Sequence, residues 1–198
     1  NQKNKPFFLY YPFTIPHVAL QATEESLKEY VGKFEEVPYK GKGYTPHQYP
    51  RAAHAAMVTH MDKHVGRLIS ELEGLGLDDN TIVMFSSDNG PSIKGGYDKK
   101  FFNASGGLRG HKRDLYEGGI RAPLIVKWPG KVQQNTVTDH ISAQWDLMAT
   151  FADITGNKAN ADSNGVSFLP TLLGLKDKQQ QHSHLYWEFW EKKGKQAV

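Results

Sequence analysis

Asp88 and Asn89 stand side by side and offer hard oxygen ligands of the kind that hold Ca²⁺ or Mg²⁺. They follow the run TIVMFS, and in open α/β sheets ligands sit beyond the carboxyl ends of strands. Asp-Asn-Gly-Pro is equally a set of good turn residues. Two side chains also cannot complete a shell of about six to eight oxygens, so further carboxylates have to come from elsewhere. A second cluster lies in GGLRGHKRDLYEGGIRAP, residues 106–123, which sets Arg109, His111, Lys112, Arg113 and Arg121 among glycines. Glycines let backbone amides approach an anion, and a lysine is a compact charge suited to a tetrahedral oxyanion such as sulfate or phosphate. The P-loop spacing is absent, and a solvated flexible loop has the same composition. His17 follows Pro16 at the end of an aromatic run, on the same sheet edge as Asp88 if the two strands are parallel. His60 and His64 are spaced i, i+4, but Met61 stands where a zincin helix carries its glutamate, so the pair reads as a solvated helix face.

The elements that must position these residues follow from periodicity. PFFLYY, residues 6–11, reads as a buried strand bounded by Pro6 and Pro12. A polar excursion with Gly and Pro breakers follows to about residue 47, with a turn or two of helix in LKEYVGKFEE. From Pro50 to Leu75, Met57, Met61, Val65, Leu68, Ile69, Leu72 and Leu75 recur at spacings of three and four, which predicts a long helix ending at Gly74 to Gly76. TIVMFS is a continuous apolar run of the kind found in parallel sheets covered on both faces. APLIVKWPG predicts another strand. WDLMATFADITG and SFLPTLLG predict helices closed by Gly156 and Gly174, and HLYWEF a late strand with half-buried aromatics. The order is that of an α/β protein.

Composition excludes several classes. At 198 residues the prior is one good-sized domain, and 38% hydrophobic residues with 23% charged is ordinary for a folded globular chain. Lys+Arg 24 against Asp+Glu 21 leaves only +3, without a basic run, so nucleic acid is not an expected partner. The longest strongly apolar stretch, PFFLYYPF, falls far short of the roughly 20 residues of a membrane span. Cysteine is absent, which removes disulfides and thiolate ligands or nucleophiles. No signal segment is visible.

Taken together, PFFLYYPFTIPH, MDKHVGRLISELEGLGLDDNTIVMFSSDNGP, GGLRGHKRDLYEGGIRAPLIVKWPG and WDLMATFADITG resemble, in family order, the arylsulfatase-like sulfatases of the alkaline-phosphatase superfamily. The resemblance implies an alkaline-phosphatase-like α/β fold, a mostly parallel sheet with helices on both faces, here as a partial domain. Residues 1–180 match the central and late part of the catalytic domain, and 181–198 the start of a small C-terminal antiparallel subdomain. By the same resemblance Asp88 and Asn89 match ligands of a catalytic Ca²⁺. Lys112 matches the lysine on the sulfate ester, and His17 the histidine near the leaving oxygen. Glu117 and Arg121 match too and read as shaping the loop.

The family's formylglycine, made from Cys or Ser in a C/S-x-P-x-R motif, and two further metal-binding Asp residues have no counterpart in this sequence. The expectation is therefore the middle-to-late portion of a longer sulfuric ester hydrolase, inactive as an isolated fragment. Its substrate would be a small sulfate ester or a sulfated carbohydrate, in a periplasmic, secreted or lysosome-like compartment. Two other readings stand beside it: a phosphomonoester or phosphodiester hydrolase of the same superfamily, and a non-catalytic domain that binds sulfated glycans.

Overall fold

The computed structural model describes residues 5–158 and 162–198. The chain divides into two compact units, one of residues 1–78 and 87–123, the other of residues 79–86 and 124–198.

The first unit is built on helix α2, Pro50–Gly74, as its periodicity predicts. Pro50 opens the helix, where a missing N–H costs nothing. The N-cap residue Tyr49 makes no side-chain cap, and a distant carboxylate does that work instead: Glu36 accepts from Arg51 N at 3.0 Å and Ala52 N at 2.8 Å. An anion at this end also complements the helix dipole. At the other end Leu77 N donates to Leu72 O and Gly76 N to Glu73 O, both at 2.9 Å, with Gly76 at φ +66°. These paired bonds form a Schellman stop, and the left-handed residue it requires is the glycine.

The predicted apolar stripe is only partly the buried one. Ala52, Ala53, Ala56, Met57 and Leu72 are buried, whereas Met61, Val65, Leu68 and Ile69 are half-buried. Small alanines let the N-terminal half approach its neighbour closely, so Leu20, Ala53 and Met57 form a core joined by Ile15, Val18, Ala22 and Leu27. The short helix α1, Glu24–Lys28, is capped by Thr23, whose hydroxyl accepts from Ser26 N at 3.2 Å. It begins earlier than the segment expected to be helical. A one-turn helix α3, Glu117–Ile120, closes this unit's Gly-rich loop.

Two strand expectations are corrected. Residues 6–11 form no strand, and Phe8 and Tyr10 are 74% and 77% exposed. An apolar run specifies a strand only when a neighbouring strand is present to complete its backbone ladder.

The second correction falls in the second unit, where TIVMFS does supply strand β1, Val83–Ser86. Its ladder with β2, Leu124–Lys127, is antiparallel, pairing Val83 with Lys127 and Ser86 with Leu124. Neither strand is buried on both faces: Ile125 is 63% exposed. Continuous apolarity reports the burial a strand can accept and not the direction of its partner.

Helices α4, Asp146–Ile154, and α5, Leu169–Leu172, follow as expected. Both close as α2 does: Asn157 N donates to Ala152 O and Leu175 N to Pro170 O, each at 2.8 Å, around Gly156 and Gly174. Thr150 ties α4 to the following segment, since its hydroxyl donates to Asp146 O at 2.8 Å and accepts from Phe168 N at 3.1 Å. The chain ends in an antiparallel hairpin of β3, Trp187–Phe189, and β4, Lys195–Ala197. Among the described residues no helix is long and apolar enough to cross a membrane.

Candidate functional site

His17, Asp88, Asn89 and Lys112 all lie in the first unit, and backbone contacts join the segments that carry them. Asp88 and Asn89 occupy the bend after β1, where Ser87 Oγ donates to Asn89 O at 3.1 Å. Asn89 Nδ2 donates to Gly90 O at 3.1 Å, so Oδ1 is the atom left to serve as a ligand. Asp88 is exposed and Asn89 half-buried.

The next residues are sewn to the lysine loop. Gly90 N donates to Gly119 O at 2.8 Å, and Lys112 N donates to Pro91 O at 2.9 Å. This approach demands glycine: a Cβ on Gly90 would lie 2.0 Å from Gly118 O, and one on Gly119 would lie 2.1 Å from Asp114 O. Gly118 donates its N–H to Arg109 O at 2.7 Å, and Gly119 donates to Tyr116 O at 2.7 Å. These amides are thus engaged by protein carbonyls. Of the loop's five glycines, Gly118 and Gly119 therefore serve close backbone packing, as does Gly90 outside the loop.

His17 enters from the third segment. Ile15 and Val18 on either side of it pack on the core over α2, while its own ring is exposed. The backbone N–H of His17 donates to Thr14 O at 2.8 Å. A Cβ on Gly95 would lie 2.7 Å from Val18 Cβ, so the turn beyond the Asp-Asn pair rests directly on the residue after His17. Three stretches far apart in sequence, 14–20, 88–96 and 109–119, therefore meet through Val18 with Gly95, Pro91 with Lys112, and Gly90 with Gly119. No hydrogen bond or ion pair among the described residues links the four candidate side chains to one another.

Around them the loop carries its own ties. His111 Nδ1 pairs with Asp114 at 2.9 Å, and the Arg109 guanidinium stacks 3.8 Å over the Tyr116 ring. Glu117 and Arg121 pair at 3.3 Å in the open, which adds little stability.

Other supports have no sequence signature. Lys99 Nζ donates to Gly110 O, two residues before Lys112. Arg51 on α2 holds Asp98 at 2.7 Å and lies 4.1 Å over the Phe101 ring. The hydrogen bond from Phe101 N, and then Arg51, lower the pKa of Asp98. The His54 ring packs at a tilt against Tyr97 and Phe102, with centroids 4.3 and 4.9 Å away, and burial drives its pKa down to about 4. Burial, and then the Asp98 charge, push the Tyr97 hydroxyl up to about 12. Partners 11 to 47 residues apart leave no local pattern that would reveal them. His60 and His64 are half-buried, not solvated, with their Nε2 atoms 3.0 Å apart.

No group of three or more His, Cys, Asp or Glu able to hold a metal occurs among the described residues. Asp88 and Asn89 nonetheless fit part of a hard-cation shell, as two adjacent oxygen ligands on one bend.

Comparison with known proteins gives consistent results. The family model described as Sulfatase matches residues 1–157. A sulfatase of Formosa agariphila is 31% identical over 202 residues, covering 96% of this chain and 34% of that protein. Human arylsulfatase A is 30% identical, covering 93% of this chain and 32% of its own length. The crystal structure of Ps i-CgsB in complex with k-i-k-neocarrahexaose is 30% identical with a TM-score of 0.70, covering 89% of this chain and 36% of that one. The chain spans about a third of the length of the curated relatives it matches.

Proposed function

The chain belongs to the sulfatase family and carries part of its alkaline-phosphatase-like α/β domain, and from that premise we propose that it is the central and late part of a sulfuric ester hydrolase acting on carbohydrate or aryl sulfates. The observation that carries this reading is the backbone stitching of the His17, Asp88-Asn89 and Lys112 segments within one compact unit.

In this reading Asp88 and Asn89 would hold Ca²⁺, a hard cation that takes oxygen ligands. When bound, a divalent cation neutralises charge on the transferring group. Lys112, its backbone tied to Pro91, would bring its ammonium against the non-bridging sulfate oxygens, where charge builds in the transition state. His17, whose side chain is exposed, contacts the ester near the leaving oxygen and can supply the proton that the departing alkoxide takes up. In this reading the formylglycine nucleophile and the remaining metal carboxylates would come from residues outside these 198. The same reading puts the parent protein in a periplasmic, secreted or lysosome-like compartment.

The test is made on the parent enzyme containing these residues, with matched sulfate and phosphate esters. Faster cleavage of the sulfate ester is expected, and Lys112→Ala should lower it by about 10²-fold or more. Preference for the phosphate ester, or a near-wild-type rate in the variant, would overturn the reading.

A further inference from the structure

Residues 97–102 are held on α2 from several sides. Arg51 pairs with one oxygen of Asp98 at 2.7 Å and lies 4.1 Å over the Phe101 ring, while the other Asp98 oxygen accepts from Phe101 N at 3.0 Å. The rings of Tyr97 and Phe102 pack on His54, and Phe34 meets Phe101 and Phe102 edge-on at 5.5 and 6.2 Å. A Cβ on Gly96 would lie 2.7 Å from Tyr39 Cβ, so the backbone is closely seated just before this segment as well. From this base the half-buried Lys99 donates from its ammonium to Gly110 O. That oxygen is one of three that crowd a single point: a Cβ on Gly118 would lie 2.7 Å from Arg109 O, 2.7 Å from Gly110 O and 2.8 Å from Leu108 O.

Carbonyl oxygens gathered in this way repel one another, because each presents the negative end of its dipole. Gly118 N–H satisfies Arg109 O at 2.7 Å, and Lys99 brings a full positive charge to Gly110 O. The charge falls where the local backbone preference is weakest, since Gly110 sits at φ +94°, a region that glycine enters and leaves at little cost. Two residues on, Lys112 N donates to Pro91 O at 2.9 Å. The backbone from which the Lys112 side chain extends is therefore held by Pro91 at residue 112 and by Lys99 at residue 110. We propose that Lys99, seated on α2 through Asp98 and Arg51, is a positioning residue that fixes the Gly110 carbonyl and with it the approach of Lys112 to the ester. The proposal rests on the sulfate-ester reading above for the role of Lys112. Lys99 itself acts through the backbone and touches neither ester nor metal.

A double-mutant cycle of Lys99→Met and Lys112→Ala in the parent enzyme tests this, on whichever of the matched sulfate and phosphate esters is cleaved faster. Lys99→Met is expected to lower kcat about tenfold and to leave KM within about twofold, because a displaced group is missed chiefly in the transition state. In the Lys112→Ala background the same change should cost less than about twofold, since nothing remains to be positioned. Lys99→Arg should recover most of the rate, as a guanidinium can also donate to Gly110 O. A near-wild-type rate for Lys99→Met would overturn the proposal. An equal loss in both backgrounds would do so too, because it marks a general structural role. If Lys99→Met does not fold, Asp98→Asn takes its place in the cycle: it gives up the charge facing Arg51, and its loss should likewise vanish beside Lys112→Ala. Amide exchange at Lys112 needs no substrate, and Lys99→Met or Asp98→Asn should speed it about tenfold. Unchanged protection there defeats the proposal. A parent enzyme that cleaves neither ester would sink the enzymatic reading, and the exchange result would still decide whether Lys99 holds the backbone of Lys112.

Discussion

The carboxylate of Asp146 is fully buried, and His182 Nε2 lies 2.9 Å from each of its oxygens. The same carboxylate accepts from Ala143 N at 2.7 Å and Val166 N at 2.8 Å. One side chain at the first turn of α4 thereby ties together three stretches of the second unit. Removing one partner of a buried pair leaves the other unsatisfied and costs about 3–5 kcal/mol. Asp146→Ala is expected to fall in that range, since it abandons two amides and His182 together. His182→Ala should cost less because both amides keep their acceptor. Urea denaturation of the two variants checks the order, and a larger loss for His182→Ala would refute it.

The three glycines that sew the Asp-Asn bend to the lysine loop should tolerate no side chain. At Gly90 the added carbon meets backbone at 2.0 Å, and at Gly118 it meets Arg109 O at 2.7 Å, so there is no flexible side chain to move aside. Gly90→Ala and Gly118→Ala are each expected to destabilise by more than about 2 kcal/mol, in the range of serious overpacking. Gly66 is the contrast. It lies inside α2 with nothing within 4 Å of an added Cβ, so Gly66→Ala should stabilise by up to about 1 kcal/mol. Thermal melts of the three variants suffice as the measurement.

His54 predicts a pH dependence. Its folded pKa of about 4 lies below the ordinary 6.5, so between these values the unfolded chain binds the extra proton. Stability should therefore be complete above pH 6.5 and fall as pH drops toward 4. The loss from this group alone approaches about 3 kcal/mol as an upper bound. His54→Phe keeps a ring against Tyr97 and Phe102 and removes the titration. A urea midpoint that varies with pH as steeply in this variant as in the wild type would show that His54 is not responsible.

For the proposed enzyme, chelation should abolish turnover and Ca²⁺ should restore it. Asp88→Ala and Asn89→Ala should each require at least about tenfold more Ca²⁺ for half-maximal activity, because each removes an oxygen ligand. Ca²⁺ titration of the activity of the parent enzyme is the measurement, and an unchanged midpoint in both variants would remove the pair from the metal shell.

Local chemistry was legible along the chain. The spacing of apolar residues from Met57 to Leu75 predicts α2, and the glycines at 76, 156 and 174 each sit at a helix stop that needs a left-handed residue. The motifs around His17, Asp88-Asn89 and Lys112 carry the family resemblance, and the family match agrees with it. These features are readable because helix periodicity, caps and motifs are fixed within a few consecutive residues. Tertiary structure decided what depends on a distant partner. It set the antiparallel sense of β1 with β2, left residues 6–11 outside any strand, and moved the burial of α2 onto its alanines. It also brought Glu36 to the start of α2, Lys99 to Gly110, and His182 to Asp146. A hydrogen-bond donor or an apolar face is specified by its own residue, but the group that satisfies it is chosen by packing across the fold.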